Sequence, residues 1–458
     1  MLAQNMHGRW RTVTDPETVT VVAQATPPGR GALAIVRLSG PDCAAIVARL
    51  FSRVNAAPLV EERPLLGELR DRSGAVIDRV VVTLHRAPHS ATGEDVAEIT
   101  VHGSPAIVRE TVAACVSAGA RPAAPGEFTL RALRHGKIDL AQAEAIRDLV
   151  EAESVEQARI AARQLGGEVS AAIAPLADAI FELLADVEAG LDFTDGEEAL
   201  ALAGDDVAGR ADRLAARIDD LAGASERARR VREGARVVLL GPPNSGKSSL
   251  FNKLIGFDRV IVTPEPGTTR DLIEEQVVIA GLPTVLIDAA GVGDPGGHAE
   301  AEGMRRALAA AQTAHLVLEV YDLSRPQRLA DPPGPHRLRV GTHADLPLAG
   351  PPSEGTVAVS SVTGEGIDAL REAIARILHA PGARPIESVA LATERHLAAA
   401  LEAREALGAA SSLARTEAGA ELVAIELRRA VHALREILGE VGPEALLERI
   451  FARFCIGK

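Results

Sequence analysis

The run Gly241-Pro242-Pro243-Asn244-Ser245-Gly246-Lys247-Ser248 has the spacing G-x-x-x-x-G-K-S. Glycines at both ends let backbone N–H groups close around phosphates, a lysine neutralises the β- and γ-oxygens, and a serine hydroxyl ligates Mg²⁺. The neighbouring Asn244, Ser245, Gly246 and Ser249 fall within reach of the same phosphates. Three further segments follow in the order a GTPase requires. Gly267-Thr268-Thr269-Arg270-Asp271 offers hydroxyls, that of Thr269 suited to Mg²⁺ and to sensing the γ-phosphate. Asp288-Ala289-Ala290-Gly291 is a D-x-x-G pattern, an acid near Mg²⁺ and a glycine N–H for the γ-phosphate. Ser360-Ser361-Val362 sets backbone groups against a base. Each is weak alone; in register with the P-loop they reinforce one another. The bland alternative for the first run, a glycine-rich turn, does not explain the ordered series.

The base-reading segment departs from N-K-x-D. Here it reads Thr342-His343-Ala344-Asp345. Asp345 keeps two acceptors for guanine N1–H and N2–H, so guanine is the expected base. Thr342 still offers a hydroxyl, but with His343 the aliphatic stem that would cover the base is lost.

These residues need particular elements. Val237–Leu240 reads as a strand feeding the P-loop and Ser249–Ile255 as the helix that follows, the context the motif demands. Thr284–Ile287, Leu338–Val340 and Val357–Val359 read as strands before the other three segments. Residues 234–380 therefore alternate strand and helix, as a parallel α/β domain does. On either side, 138–232 and 388–437 are rich in Ala, Leu, Glu and Arg, with apolar residues at helical spacing; Ile138, Ala141, Ala145, Leu149 and Ala152 form one stripe. The α/β segment is thus inserted into a helical domain. From Val19 to Gly103 the pattern is strand-rich. Runs at Val19–Ala23, Ala32–Leu38 and Val96–Val101 are accompanied by a hairpin, Leu65–Leu69 with Val80–Leu84, around Ser73-Gly74. Pro105–Ala118 reads as a helix stopped by Gly119.

The whole chain of 458 residues is 47% hydrophobic and 24% charged, ordinary for a globular protein of about three domains. No long apolar run predicts a membrane span, and the cysteines (Cys43, Cys115, Cys455) lack metal-ligand spacing. A reducing cytoplasm is the expected setting. A net charge of −14 argues against nucleic-acid binding by bulk charge, and 2% aromatics argue against stacking platforms for single strands. Arg227, Arg229, Arg230, Arg232 and Arg236 form a local basic cluster, more often a solvated helix end than an RNA patch. For Cys455, with no activating base nearby in sequence, a buried structural thiol is the expectation.

Further motifs carry a resemblance. Ala23-Gln24-Ala25-Thr26-Pro27-Pro28-Gly29-Arg30-Gly31, Thr92-Gly93-Glu94-Asp95, Arg121 to Phe128, Asp139 to Ala145 and the tail Phe454-Cys455-Ile456-Gly457-Lys458 resemble the tRNA-modification GTPase family MnmE (TrmE) from Thr18 to Lys458. Residues 1–17, polar and without periodicity, read as an extension, and the resemblance implies an α/β tetrahydrofolate-binding and dimerisation domain over 18–135, helical parts over 136–232 and 382–458, and a Ras-like G domain over 233–381. It implies a homodimer working with the flavoprotein MnmG in a heterotetramer. Together these install an aminomethyl or carboxymethylaminomethyl group at C5 of the wobble uridine of certain tRNAs. It also implies a formyl- or methylene-tetrahydrofolate at Arg37, Glu98, Lys137 and Lys458; the bland reading of these residues is surface ion pairs. Potassium-activated hydrolysis follows from the same likeness, with K⁺ held by Asn244 and by Thr263, Glu265 and Thr268 of the loop before Thr269, and with Glu300 placing the water. Lys247, Asn244 and Glu300 are then the catalytic set. A related GTPase switch in ribosome assembly is the alternative; a P-loop kinase is disfavoured by Asp345 and Gly267-Thr268-Thr269.

Overall fold

The computed structural model describes residues 19–53, 63–192, 204–257, 273–279, 282–288, 298–325, 327, 334, 336–378, 391, 393–416, 419–441, 447, 450–452 and 454–457, with backbone alone at 53, 192, 224–233, 257, 273 and 298–304. The chain divides into two compact units, Met1–Arg147 with Leu438–Lys458, and Asp148–Ile437.

The first unit runs β1 (Val21–Gln24), β2 (Leu33–Ser39), α1 (Cys43–Leu50), β3 (Phe51–Arg53), β4 (Leu65–Arg70), β5 (Val76–His85), β6 (Val96–His102), α2 (Pro105–Ser117), β7 (Arg121–Pro122), α3 (Glu127–Arg134) and α4 (Leu140–Glu151). The described strands form one sheet in the order β3-β4-β5-β6-β2-β1-β7. All neighbours are antiparallel except β1 and β7, which pair in parallel. Alternation sets the faces: Ala34, Val36 and Leu38 of β2 join Val82, Leu84, Ile99 and Val101 in a core closed by Ile46 of α1 and Val108 of α2. The expected hairpin forms, and α1 and β3 add to what its pattern showed. The stripe predicted from Ile138 to Ala152 is shorter than expected. Helix α4 starts at Leu140 and ends at Glu151, burying Ala141 and Ala145 but leaving Leu149 exposed. A second core joins Ala143 to Phe451 and Phe454, whose rings lie 5.1 Å apart. Gly126 makes this possible: its φ is 66°, and a Cβ there would come within 2.9 Å of the Phe451 carbonyl oxygen.

The second unit continues with α5 (Val155–Leu165), α6 (Glu168–Asp192), α7 (Gly204–Glu233), β8 (Ala235–Leu240), α8 (Lys247–Phe257), β9 (Ile273–Ile279), β10 (Leu282–Asp288), α9 (His298–Thr313), β11 (Leu316–Asp322), β12 (Arg337–Thr342), β13 (Thr356–Ala358), α10 (Ile367–Leu378), α11 (Glu394–Arg415) and α12 (Ala420–Leu438). Ser154 opens α5 with a capping box, its hydroxyl accepting from the Gln157 N–H. Helices α7 and α11 run antiparallel, tied by Arg415–Asp212 and Arg404–Asp219 pairs, so residues far apart in sequence build one helical layer. Between them lies a sheet ordered β13-β12-β11-β8-β10-β9, parallel throughout except for the β9–β10 hairpin. Strand β8 is buried along nearly its whole length, as a central parallel strand must be. Its neighbours β11 and β10 lead away in opposite directions, so the crevice beyond its carboxyl end is a topological switch point, where open α/β sheets bind ligands. Among the described residues no helix is long and apolar enough to cross a membrane.

Candidate nucleotide-binding site

The loop after β8 occupies that crevice. Asn244 takes left-handed backbone with φ 60°, a conformation asparagine tolerates, and Gly246 follows at φ 82°. Gly241 has no room for a side chain, since a Cβ would collide with the Val320 carbonyl and stand 2.8 Å from Ser245 Oγ. Lys247, only 5% exposed, donates from Nζ to the carbonyls of Pro242 at 2.8 Å and Gly241 at 3.1 Å. Burial lowers its pKa from the ordinary lysine value, and the charge of Asp288 pushes it back up. The ammonium is therefore folded into its own loop, on contacts that phosphate oxygens can replace.

Ser248 and Asp288 meet as the motifs require. The Ser248 hydroxyl donates to Asp288 Oδ2 at 2.8 Å, joining the start of α8 to the end of β10. Asp288 is buried, and among the described residues its Oδ1 has no hydrogen-bond partner; nor has the buried Ser245 hydroxyl. A hydroxyl and a carboxylate with an unused oxygen form a hard oxygen donor set of the kind Mg²⁺ takes.

The base-reading half stands on β12 and β13. The Thr342 hydroxyl contacts the carbonyls of Ser245 at 2.7 Å and Tyr321 at 3.1 Å, tying β12 to the P-loop and to β11. His343 is left-handed at φ 56°. A hydrogen bond from the Ser360 side chain, joined by the Asp345 backbone, holds the Asp345 carboxyl below the usual carboxylate range, so at neutral pH it presents two acceptors. The Ser360 turn is closed by Thr363 N–H donating to Ser360 Oγ at 3.1 Å, while Val362 is exposed.

Several expected residues lie outside the described ones: Thr263, Glu265, Thr268, Thr269, Ala289, Ala290, Gly291 and Lys458. Glu300 falls in the first turn of α9, where the backbone alone is described. The structure also supplies what the motifs did not: Asp322, at the end of β11, lies beside His343. Its only signal in sequence is that it ends the mostly apolar segment Leu316–Tyr321, which Glu319 interrupts.

Comparison with known proteins places this geometry. The family model of the MnmE helical domain matches residues 140–455, and that of the GTP-binding protein TrmE N-terminus matches residues 20–137. The tRNA modification GTPase MnmE of Thermus thermophilus is 41% identical over 442 residues, covering 96% of this chain and 99% of its own. That of Xanthomonas campestris is 42% identical over 446 residues with the same coverage of both chains. The chain belongs to the MnmE family. Its helical domain is the one that the P-loop α/β domain interrupts, and its N-terminal domain is the TrmE type.

The remaining residues that the MnmE likeness singled out lie in the first unit. Arg37 and Glu98 are cross-strand partners on β2 and β6, and the guanidinium donates to Glu98 Oε1 at 2.8 and 3.0 Å. The same guanidinium lies 5.8 Å from the Phe128 ring centroid. Lys137 donates to the Pro88 carbonyl at 3.0 Å, near Gly93. The structure therefore joins Arg37 to Glu98 but gives Lys137 a separate partner. Cys455 is exposed, which corrects the expectation of a buried thiol: the tail buries Phe454 and leaves the next side chain outside. Of the basic cluster, Arg236 is engaged with Glu274 at 3.0 Å on the surface, and the side chains of Arg227, Arg229, Arg230 and Arg232 lie outside the described residues.

Proposed function

We propose that the chain is a GTP-hydrolysing tRNA modification enzyme. In this reading it works as a homodimer with the flavoprotein MnmG and modifies C5 of the wobble uridine. The observation that carries it is the Lys247, Ser248 and Asp288 arrangement at the β8 switch point: a buried cation beside a hydroxyl–carboxylate pair with an unused oxygen. On binding GTP, Lys247 exchanges its loop carbonyls for β- and γ-oxygens, and the loop N–H groups between Asn244 and Ser249 close around the phosphates. Ser248, with Asp288 behind it, would hold Mg²⁺ together with Thr269, and the ion when bound neutralises charge on the transferring phosphoryl group. Asp345 selects guanine through two acceptors. Thr342 keeps the base and phosphate halves at a fixed separation through Ser245.

The same reading assigns K⁺ to Asn244, Thr263, Glu265 and Thr268, water placement to Glu300, and a tetrahydrofolate to Arg37, Glu98, Lys137 and Lys458. The folate assignment requires Arg37 and Glu98 to give up part of their mutual pair. Nucleoside mass spectrometry of tRNA from a deletion strain tests the modification: the wobble-uridine product disappears, and unchanged wobble uridines overturn the tRNA role. GTP hydrolysis by the purified chain tests the rest. It runs at least about tenfold faster in KCl than in NaCl at equal ionic strength, since a cation standing in for an arginine finger contributes visibly to the rate. Equal rates remove the K⁺ assignment.

A further inference from the structure

The first two positions of N-K-x-D are changed in this chain, and β11 ends on a residue that answers the change. His343 Nδ1 lies 3.1 Å from Asp322 Oδ1, an ion-pair distance rather than an aligned hydrogen bond. Asp322 is the strand partner of Thr342 and is itself fixed, because the Ser324 N–H and hydroxyl both donate to its Oδ1 at 2.7 Å. Thr342 is anchored on the Ser245 carbonyl, so the backbone leading into His343 is set by the P-loop. The left-handed turn at His343 is closed by Leu346 N–H donating to the His343 carbonyl at 3.0 Å. An imidazole in this position is short and flat, with one ring nitrogen beside the Asp322 carboxylate. A lysine would instead carry a point charge on a flexible four-carbon stem. Planar side chains, histidine among them, stack on nucleobases, and such stacking needs only a π-face.

We propose that His343 stacks on the guanine ring of the bound nucleotide in place of the missing lysine stem, and that Asp322 is the positioning residue that holds the imidazole there. This rests on the GTPase reading above. Asp345 reads the edge of the base, His343 covers its face, and Ser324 fixes the carboxylate on which the ring rests. The departure from N-K-x-D is then a replacement of one kind of cover by another, so His343→Lys gains nothing.

The test uses the full-length chain with GDP as probe and inorganic diphosphate, which has no base, as control. His343→Ala weakens GDP binding about tenfold, within the range for loss of one base–aromatic stack, and leaves diphosphate binding unchanged. His343→Phe, which keeps a flat ring, retains most of the affinity. Asp322→Asn weakens GDP severalfold alone and has no effect in the His343→Phe background, as expected for a residue acting only through the imidazole. In the unmodified chain labelled at histidine Cε1, the resonance missing from His343→Ala moves upfield on adding GDP and not on adding diphosphate. Unchanged GDP affinity in His343→Ala, rescue by lysine but not by phenylalanine, or a resonance indifferent to GDP each overturns the inference alone. Failure of the unmodified chain to bind GDP overturns the GTPase reading and takes this inference with it.

Discussion

Two buried charged clusters, one in each unit, differ in whether the central cation donates to an opposite charge within the protein. In the first unit Arg131, 2% exposed, donates to both Glu94 oxygens at 2.9 and 3.0 Å, to Glu127 at 3.0 Å and to the Val19 carbonyl at 2.9 Å. Glu94 also accepts from Ser39 at 2.6 Å, and Glu127 accepts from the Ala124 N–H at 2.8 Å. Every charge there meets an opposite charge within the protein. Around Lys247 the ammonium donates to carbonyl oxygens, while Asp288 Oδ1 and Ser245 Oγ have no hydrogen-bond partner among the described residues. Buried polar groups are normally paired, so a closed network does its work in the fold, whereas an open one is completed by something that arrives. The difference separates two segments that both stood out in the sequence. Thr92-Gly93-Glu94-Asp95 contributes to a structural clamp, and Gly241 to Ser248 to a site.

The largest expected effect tests the closed cluster. Arg131→Met leaves Glu94 and Glu127 buried without their common cation, and removing one partner of a buried pair costs about 3–5 kcal/mol. Urea unfolding of the variant should show that loss in the midpoint. A loss below about 1 kcal/mol would mean that Glu94 and Glu127 find other partners, and the contrast between the clusters would fail.

Next comes the open cluster. Lys247→Ala removes the charge facing the β- and γ-phosphates and slows GTP hydrolysis by about 100-fold or more, as loss of one transition-state donor does elsewhere. Nucleotide-free stability should change by less than about 1 kcal/mol, because a desolvated cation is replaced by an apolar group. Activity and stability thus move oppositely in the two variants. A Lys247→Ala chain that unfolds early but still hydrolyses GTP would reverse the assignment.

How far this contrast was legible in sequence depends on the range of the contacts. The P-loop, its strand and its helix were legible because the motif and its flanks span fewer than about 25 residues, and local periodicity reports such spans. Asp345 and Ser360 were legible for the same reason. The Arg131 clamp was not: its partners Glu94 and Val19 come from distant segments, and no local pattern records a pairing made by the sheet. The parallel pairing of β1 with β7, the antiparallel layer of α7 on α11, and the meeting of Arg37 with Glu98 share that cause. Cys455 misled because sequence distance from a base says nothing of burial, which the seating of Phe454 decides. Asp322 was missed because a terminal strand acid has no motif of its own.

A smaller effect sharpens the open site further. Asp345→Asn exchanges one acceptor for a donor where guanine presents donors and xanthine a C2 carbonyl. Selectivity in competition binding should shift from GTP toward XTP by about tenfold, the value of roughly one hydrogen bond to a charged group. Unshifted selectivity would place base recognition elsewhere.

The smallest effect lies at the rim of the closed cluster. Arg121 donates to Glu127 Oε2 at 3.1 Å, as Arg131 does to Oε1, but its side chain is 42% exposed against 3%. Solvent screening limits such a pair, so Arg121→Ala should cost about 0.5–1 kcal/mol at neutral pH. The pH dependence carries the sharper signal. Burial tends to raise the Glu127 pKa, but the hydrogen bonds from Arg121 and the Ala124 N–H, with the charges of both arginines, lower it overall. A carboxyl depressed in the folded state contributes stability that is fully present above its ordinary value of 4.5 and is lost as pH falls through the folded value. Without Arg121 the folded pKa rises toward the ordinary one. The variant should therefore begin to lose stability at the same pH, set by the unfolded value, but finish losing it at a higher pH and lose less in total between neutral and acid, because the difference between folded and unfolded values is smaller. Urea midpoints measured from neutral pH down to about pH 3 resolve both features. Superimposable acid profiles for the variant and the unmodified chain would show that Arg131 alone sets Glu127, leaving the exposed guanidinium outside the clamp.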